Sequence, residues 1–291
     1  MDGILLLDKP CGLTSNRALQ DAKRLLGACK AGHTGSLDPI ASGLLPLCFG
    51  EATKLSRFLL EADKRYWTVF RLGRTTTTYD AEGESVETRP VSFGLPAIQS
   101  ALKRFVGEIE QIPPIYSAVK LGGQPLYRLA RAGVSVTPEP RRVRIHELRM
   151  LGWEQERLEL EICCTKGTYI RSLAHDLGEI LGCGAHVLEL RRLGIGAFGV
   201  EQAVTLEALQ GMERGQRASL LLAGDLALTR LPEITLSPNA AYYLRQGQPV
   251  AVALGRPVGL IRVYEEGRAF LGLGEVLEDG RLAPRRLMRD H

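Results

Sequence analysis

The sequence lacks several features that would assign it to a specialised class of protein. It contains no CxxC pair and no cysteine and histidine spacing typical of a metal site, and only five of its 291 residues are histidine. No apolar run approaches the roughly 20 residues that a membrane-spanning helix needs. The opening residues MDGILLLDKP lack the basic start and long apolar segment of a signal peptide. These absences predict a cytoplasmic protein with no membrane segment, no metal and reduced cysteines that serve as small core residues.

Signatures of nucleotide cofactors are also missing. The sequence has no GxxxxGK[ST] loop, which excludes the common triphosphate-binding motif. Residues 194–199 read GIGAFG and fit GxGxxG, but no helix pattern opens at these glycines and no βαβ unit surrounds them. We therefore predict that the protein uses neither a dinucleotide nor a nucleoside triphosphate as a cofactor.

The charge of the chain is nearly balanced, with 37 basic and 33 acidic residues and a net charge of +4. This balance permits an anionic partner without requiring one. Basic residues do gather in clusters, each of which is most simply a solvated surface, although together they could form a track that contacts phosphates. The clusters are Lys23, Arg24 and Lys30; Arg141, Arg142 and Arg144; Arg191 and Arg192; and Arg281, Arg285 and Arg286.

Hydrophobic periodicity predicts a mixture of helices and strands. Apolar residues recur at helical spacing in three segments, and β-branched, aromatic or alternating residues mark two strands. No regular βαβ alternation is present, so we predict an α+β fold with a largely antiparallel sheet. The predicted helices run from a Ser15 cap to a Gly27 stop, from about 52 to 62, and onward from about Thr168, and the predicted strands are 66–72 and 158–164.

The most informative stretch is AGHTGSLDPIASG, residues 31–43. It contains one carboxylate, Asp38, with no charged neighbour in the segment except the ionisable His33. Its glycines and proline suit an irregular backbone that approaches a ligand closely. Asp38 is therefore a candidate catalytic group, although an aspartate before a proline can also simply accept backbone hydrogen bonds in a turn.

This stretch resembles the catalytic loop of the TruB family of pseudouridine synthases. The resemblance continues through residues 3–16 (GILLLDKPCGLTSN), 63–73, 112–131 and 166–192, and so covers nearly the whole chain. It implies the pseudouridine synthase fold with a largely antiparallel central sheet. It also implies a catalytic domain over 1–229, with an insertion at about 113–140 that closes over RNA. Residues 231–291 resemble the PUA domain of RNA-modifying enzymes, although their pattern alone indicates only a small β-rich domain.

The resemblance implies a function on transfer RNA. The expected reaction converts the uridine at position 55, in the T arm, to pseudouridine without a cofactor, and a monomer is expected. The target base must be extruded from the folded arm before reaction. Asp38 could attack C1′ of the sugar or remove the 2′ proton, and the sequence leaves both routes open.

The resemblance also implies a role for an aromatic and a basic residue near Asp38. Tyr66, which from the local pattern alone would be a packed strand tyrosine, is expected to stack on the target base and to act in the late proton transfer from C5. Arg171 is expected to pair with Asp38 and hold the carboxylate ionised. Its position near a helix N-terminus is unfavourable to the helix dipole, so it needs a partner, although a surface salt bridge would also supply one.

Three further positions are matched to residues that contact RNA. Tyr169 is expected to line the uridine site and Leu190 to contact the RNA. His33, which from the pattern alone is a turn or core histidine, is expected to contact the displaced strand beside the target base.

The segment 72–83 (LGRTTTTYDAEG) departs from the family pattern at two positions. Thr77 and Tyr79 stand where family members carry Asp and Ser. Asp80 matches the family and is expected to support the active-site region through hydrogen bonds.

Two other functions are consistent with parts of the sequence. The same groove could serve a protein that binds or refolds transfer RNA without modifying it, although an intact Asp38 argues against this as the only role. A metal-dependent hydrolase is disfavoured because metal ligands are not clustered in the sequence.

Overall fold

The computed structural model describes residues 1–134, 136–252 and 258–289. Its helices are α1 (Ser15–Leu26), α2 (Ser56–Glu61), α3 (Leu95–Lys103), α4 (Leu126–Arg131), α5 (Ile170–Leu181), α6 (Leu206–Gly211), α7 (Arg214–Ser219) and α8 (Pro238–Arg245). Its strands are β1 (Gly3–Lys9), β2 (Ala31–His33), β3 (Ala41–Phe49), β4 (Lys64–Leu72), β5 (Arg74–Thr76), β6 (Ser85–Thr88), β7 (Gly107–Gln111), β8 (Lys120–Leu121), β9 (Gln124–Pro125), β10 (Arg141–Glu154), β11 (Arg157–Cys164), β12 (Ala185–Ile195), β13 (Phe198–Gly199), β14 (Val204–Thr205), β15 (Glu233–Leu236), β16 (Val250–Ala251), β17 (Gly259–Glu265), β18 (Phe270–Val276) and β19 (Arg281–Leu287).

Within the described residues, a ten-stranded sheet forms the larger part of the molecule. Its strand order is β14-β1-β3-β12-β4-β11-β10-β7, with β13 beside β12 and β2 beside β3. Neighbouring strands are antiparallel except for the β1–β14 and β3–β12 pairs. The predicted α+β class with a largely antiparallel sheet is therefore confirmed.

Apolar side chains cover both faces of the central strands. Alternate residues of β1 point to opposite faces, so Leu5 and Leu7 join one buried cluster while Ile4 and Leu6 join another. The first cluster includes the buried faces of α1, α3 and α5, and the second lies under the segment that contains α2. This packing holds the middle strands β3, β12 and β4 rigidly, and the candidate site lies on them.

The predicted helices exist, with corrected ends. Thr14, not Ser15, caps α1, because its side chain accepts a hydrogen bond from the backbone N–H of Arg17. Ser15 is the first helical residue, and its hydroxyl is buried against the backbone of Leu37. Gly27 ends the helix in the left-handed conformation, as the sequence predicts.

The other predicted elements differ from the structure only in detail. The segment predicted as one helix over 52–62 is a 3₁₀ turn, Gly50–Leu55, followed by α2. The two predicted strands correspond to β4 and β11, which begin two residues and one residue earlier. The last predicted helix is α5, with Tyr169 at its N-cap position. GIGAFG, residues 194–199, lies where β12 turns into β13, so no dinucleotide-binding βαβ unit surrounds it.

The segment between β7 and β10 leaves the large sheet. It contains the short β8–β9 hairpin and α4. Few of its side chains are buried, and several large apolar ones are exposed, including Ile112, Ile115, Tyr116 and Leu121. The structure thus has an excursion where the sequence predicts the insertion over 113–140, of which position 135 lies outside the described residues.

The C-terminal part forms a second sheet with its own apolar core. The strand order among the described residues is β15-β17-β18-β19-β16, and α8 packs on it. Leu273 of this sheet meets Leu55 and Leu228 in a small cluster, and the Lys54 side chain donates to the Leu287 carbonyl. The two sheets are therefore joined by both apolar and polar contacts.

The prediction that the cysteines are small core residues is only partly right. Cys48, Cys164 and Cys183 are buried, whereas Cys11 and Cys29 are exposed. Cys11 lies in a turn after β1 and Cys29 in the connection after α1, where no core surrounds them. Among the described residues, no helix is long and apolar enough to cross a membrane.

Gly43 connects the fold to the candidate site. Its φ of +102° lies in a region that L residues rarely adopt, and an added Cβ would lie 2.3 Å from the backbone oxygen of Arg192 on β12. Gly43→Ala should therefore lower the free energy of unfolding by more than about 2 kcal/mol, measured by urea denaturation. Gly32→Ala is the matched control, because nothing lies within 4 Å of the added Cβ and φ is not positive there. Equal stability of the two variants would contradict this account of the β3–β12 contact.

Candidate active site

A cavity of ≈ 280 Å³ lies at the edge of the central strands. The loop before β3, the start of β4, the turn before α5, the middle of β12 and the insertion each supply part of its wall. Among the residues that line it are Asp38, Tyr66, Tyr169, Arg171 and Leu190, together with Lys64, Ser117, Ala118, Thr168 and Arg192. The structure therefore brings together five of the six site residues that the sequence predicts.

Asp38 and Arg171 form an ion pair in this cavity. The Arg171 Nε lies 2.8 Å from the Asp38 Oδ2. The arginine side chain is 4% exposed, whereas that of Asp38 is 38% exposed. The cation is thus part of the buried frame while the carboxylate borders the open space. This burial rules out the alternative of a surface salt bridge.

The remaining nitrogens of Arg171 are also bound. Its Nη1 donates to the Thr78 carbonyl (3.2 Å) and lies 3.5 Å from the Asp80 Oδ2, and its Nη2 donates to the Tyr116 carbonyl (2.9 Å). Asp80 is buried and accepts from the Thr78 hydroxyl and the Glu82 N–H. Arg171 therefore joins three segments that are far apart in sequence. The arrangement fits the predicted supporting role of Asp80.

Burial raises the pKa of Asp38 above its ordinary value, because a carboxylate loses solvation in the cavity. The Arg171 charge is the main influence in the opposite direction, while the neighbouring Asp80 raises the pKa further. A carboxylate that is poorly solvated but held ionised by one cation is reactive as a nucleophile or a base.

Tyr66 forms an inner wall of the same cavity. It is 8% exposed, and it lies directly opposite the buried Arg192 in the β4–β12 pair. Burial raises the pKa of the phenol, and Arg192 opposes this increase. Leu190 lies two residues before Arg192 on β12, so both side chains project from one face of the strand. Tyr66 and Leu190 provide aromatic and apolar surface within reach of Asp38.

Gln111 fixes the position of Tyr169 through a pair of hydrogen bonds. Its side-chain oxygen accepts from the Tyr169 N–H (2.7 Å) and its amide nitrogen donates to the Tyr169 carbonyl (3.0 Å). The glutamine is 2% exposed, at the end of β7 where the insertion departs. Burial raises the pKa of the Tyr169 phenol. Gln111 thus holds the backbone of Tyr169, and the Tyr169 ring is left to line the cavity.

His33 lies on β2, beside the loop that carries Asp38. It is not among the residues that line the cavity. Its Nδ1 is shielded from solvent and has no hydrogen-bond partner within the described residues. Burial, and then the Arg192 charge, lower the pKa of its imidazole, which favours the neutral ring. The expected RNA contact of His33 stays a prediction.

The two departures from the family pattern lie in the turn that positions Asp80. Thr77 pairs with Glu84 through its backbone and its hydroxyl. Tyr79 has a positive φ of 62°, and its ring stacks on that of His175 at 4.1 Å. The substituted side chains therefore stabilise the turn, and neither is among the residues that line the cavity.

Three polar residues near the site are not among the site residues predicted from the sequence. Arg192 and Lys64 line the cavity, and Lys9 is fully buried near Asp38, where burial lowers its pKa to about 8. Strand alternation could have indicated the first two, since Lys64 precedes Tyr66 by two residues and Arg192 follows Leu190 by two. No local signal indicates that the Lys9 ammonium donates to two backbone carbonyls, those of Pro10 and Leu13.

The possible phosphate-contacting track is wrong for Arg192 and stays untested for Arg191, its neighbour on β12. Arg192 is 1% exposed, and Arg191 forms an ion pair with Asp8 at 2.7 Å. Several members of the other clusters are exposed but also paired with carboxylates, including Arg24, Arg142, Arg144, Arg281 and Arg285. Adjacent arginines on a strand point to opposite faces, so one of such a pair is easily buried. Within the described ranges, no group of three or more His, Cys, Asp or Glu residues could hold a metal ion.

Three family models match successive parts of the chain. Residues 23–170 match the N-terminal domain of the TruB family pseudouridylate synthases. Residues 171–228 match the C-terminal domain of tRNA pseudouridylate synthase B, and residues 232–288 match the C-terminal region of pseudouridine synthase II TruB.

Curated relatives are similar over nearly their full length. A tRNA pseudouridine synthase B from Ectopseudomonas mendocina (strain ymp) is 55% identical, with 99% of this chain and 95% of the relative covered. The protein of the same name from Serratia proteamaculans (strain 568) is 50% identical, with coverage of 99% and 96%.

Solved structures agree with this similarity. The chain resembles one from a Cbf5-Nop10-Gar1 complex with a TM-score of 0.74 and 28% identity, covering 99% of this chain and 84% of that one. A chain from an H/ACA RNP bound to a substrate RNA containing 2′-deoxyuridine gives a TM-score of 0.74 and 26% identity, with coverage of 99% and 85%.

The fold and the cavity with its buried aspartate–arginine pair define an RNA-modifying isomerase of the pseudouridine synthase class. Within that class, the chain belongs to the TruB family of pseudouridylate synthases.

The Asp38–Arg171 pair can be tested by titration. Arg171→Gln removes the cation that opposes the effect of burial, so the pKa of Asp38 should rise by about one unit or more. The side-chain carboxyl ¹³C signal of Asp38, followed by NMR from acid to neutral pH, measures this change. Arg89→Gln is the control, because Arg89 pairs with Glu87 and Glu179 away from the cavity. The same Asp38 titration in both variants would show that Arg171 does not hold the carboxylate ionised.

Proposed function

We propose that this enzyme converts the uridine at position 55, in the T arm of transfer RNA, to pseudouridine. The observation that carries the proposal is the Asp38–Arg171 ion pair, held in one cavity with Tyr66 and Leu190. The curated relatives bear the name tRNA pseudouridine synthase B, which supports transfer RNA as the substrate.

The reaction makes three physical demands on the site. The bond from N1 to C1′ must break, the base must turn, and a new bond must form between C5 and C1′. The protein must therefore offer one reactive group at the sugar and a surface on which a detached base can stay bound. The base must also leave its stack first, which costs a few kcal/mol.

Asp38 is the group that we assign to the sugar. It lies at the open side of the cavity, and Arg171 stabilises its ionised form. Both attack on C1′ and removal of the 2′ proton need an ionised carboxylate, so the ion pair serves either route. Arginine also fixes the direction of the carboxylate, since it is itself bound on its other nitrogens.

We assign the base to the surface made by Tyr66, Tyr169 and Leu190. Aromatic rings hold a flipped base by stacking, and an apolar leucine excludes water beside it. Tyr66 is the residue that we assign to the late proton transfer from C5. We place His33 beside the flipped nucleotide, in contact with the displaced RNA strand, because it is on β2 next to the catalytic loop.

We further propose that the chain has two functional parts. Residues 1–229 form the catalytic domain, in which the insertion over 113–140 closes on the T arm, and residues 231–291 form a PUA-like RNA-binding domain. Separate apolar cores in the two parts support this division. One chain supplies every residue assigned to the cavity, so a monomer suffices, and we place the enzyme in the cytoplasm with its substrate.

Release of tritium from C5 tests the reaction directly. With a transfer RNA transcript labelled at C5 of its uridines, the intact chain should release tritium without added metal or nucleotide. Asp38→Asn should lower the rate at least about 100-fold, because the neutral amide can neither attack C1′ nor remove the 2′ proton. RNA binding by the variant should persist.

The matched control is Asp21→Asn, which changes the same chemical group on the exposed face of α1, where Arg17 and Arg24 flank it. This variant should release tritium at the unchanged rate. If the intact chain binds the transcript but releases no tritium, the protein binds or refolds transfer RNA without modifying it, and the proposed reaction is wrong.

Isolated stem-loops test which arm of the transfer RNA contains the modified uridine. A labelled T-arm stem-loop should release tritium, whereas an anticodon stem-loop of equal length should release none, because the insertion and the cavity wall must fit one loop shape. Equal release from both stem-loops would contradict the proposed T-arm specificity without affecting the assignment of the reaction.

A further inference from the structure

Arg192 is the largest fully buried side chain of the described residues, at 1% exposure. Its Nε donates to the Leu44 carbonyl (2.7 Å) and its Nη2 donates to the Gly35 carbonyl (3.2 Å). The Tyr66 phenol lies beside this side chain, because the two residues are directly opposite each other in neighbouring strands and both line the cavity.

The sheet register makes the proximity of Arg192 and Tyr66 a fixed feature of the fold. Arg192 lies directly opposite Tyr66 in the antiparallel β12–β4 pair and opposite Gly43 in the parallel β12–β3 pair. Directly opposite residues have Cβ atoms about 4.5–5.5 Å apart, which suits a contact between two long side chains on one face. The close approach at Gly43 prevents β12 from sliding against β3.

The charge of Arg192 is unusual because it has no anionic partner. Among the described residues, no carboxylate lies within 4 Å of its guanidinium, whereas the other buried arginine of the cavity, Arg171, contacts Asp38 and Asp80. A buried charge is costly unless it is paired. The Tyr66 phenol, directly opposite Arg192 in the β12–β4 pair, is a neighbour that can become an anion.

We propose that Arg192 is a positioning residue for Tyr66: its guanidinium lies beside the phenol in the cavity wall and stabilises the deprotonated form of the phenol. The inference rests on the proposed contact of Tyr66 with the target base. It assigns to Arg192 the same task towards Tyr66 that Arg171 performs towards Asp38. The two arginines thus stabilise two different anions in one cavity.

Other groups also act on the Tyr66 phenol. Asp38 from the catalytic loop and Cys164 from β11 disfavour the phenolate. Lys64 shares the β4 face with Tyr66, but its ammonium donates to the Leu60 and Ala62 carbonyls. Arg192 is therefore the cation positioned to stabilise the phenolate.

The test replaces Tyr66 by 3,5-difluorotyrosine, whose more acidic phenol titrates while the protein is still folded. The ¹⁹F signal reports this one residue. Arg192→Gln in this background should raise the phenol pKa, because a neutral side chain replaces a cation. The acid dissociation constant of the phenol should fall about tenfold or more. Arg192→Lys, which keeps the charge, should raise the pKa less.

The control for loss of an arginine bound to backbone carbonyls is Arg217→Gln, at a half-buried position. Arg217 also donates to backbone carbonyls, those of Leu25, Leu209 and Gln210, but it does not line the cavity. This variant should leave the ¹⁹F titration unchanged. The same titration in Arg192→Gln and in the unsubstituted protein would overturn the proposal.

A reciprocal measurement needs no change at Arg192 and remains decisive if its variants do not fold. In the fluorinated protein labelled with ¹⁵N-arginine, one guanidinium signal should shift with the same midpoint as the ¹⁹F signal. If no arginine signal follows the ionisation of residue 66, the proposal is wrong.

Kinetics then separate this proposal from the proposed function. Single-turnover tritium release should fall in the order unsubstituted, Arg192→Lys, Arg192→Gln, while RNA affinity changes by less than about twofold, since the buried side chain does not reach the RNA backbone. Loss of affinity alone, with an unchanged bound-state rate, would overturn the positioning role. If the unsubstituted protein releases no tritium, the proposed function fails, and the two NMR titrations still decide whether Arg192 stabilises the phenolate.

Discussion

The site depends on one buried cation, the guanidinium of Arg171. Removal of a charge from water is costly, and here the cost is offset by oxygens from three separate segments: Asp38, the turn that holds Thr78 and Asp80, and Tyr116 of the insertion. The first turn of α5 is a poor place for a cation, because the helix dipole opposes it. The carboxylates of Asp38 and Asp80 offset this unfavourable interaction with the helix dipole. The same contacts that stabilise the buried arginine therefore also bring the loop that carries Asp38 and the insertion to one point.

The sheet supplies the second constraint, because β12 runs between β3 and β4. Its register places Arg192 beside Gly43 on one side and beside Tyr66 on the other. Side chains two residues apart on a strand share a face, so Leu190 lies next to Arg192 in the same wall. The strands thus fix the surface on which a base is proposed to rest, while the loop before β3 carries Asp38, the proposed catalytic group. The sheet therefore positions the wall of the cavity, and a loop forms its open side.

The sequence predicts this arrangement where the signal is local. Strand alternation and helix periodicity find β4, β11 and α5, and the dipole argument correctly requires a partner for Arg171. The cap of α1 is misplaced by one residue because Thr14 and Ser15 are chemically equivalent as caps, and only tertiary contact shows that the Ser15 hydroxyl is committed to Leu37. The burial of Arg192 likewise cannot be predicted from the local sequence. A pair of adjacent arginines looks like surface charge until the register of β12 against its neighbours is known.

The insertion explains how one arginine can serve a site that must admit RNA. The insertion contacts the active-site region mainly through backbone oxygens: Tyr116 accepts from the Arg171 Nη2, and Ile112 accepts from the Ser172 hydroxyl. Asp38 binds a different nitrogen, the Nε, on the other side of the guanidinium. Movement of the insertion would therefore break the bond to Nη2 without removing the cation from Asp38. Because Thr78 and Asp80 hold Nη1, the guanidinium stays beside Asp38 when the contact at Nη2 is lost.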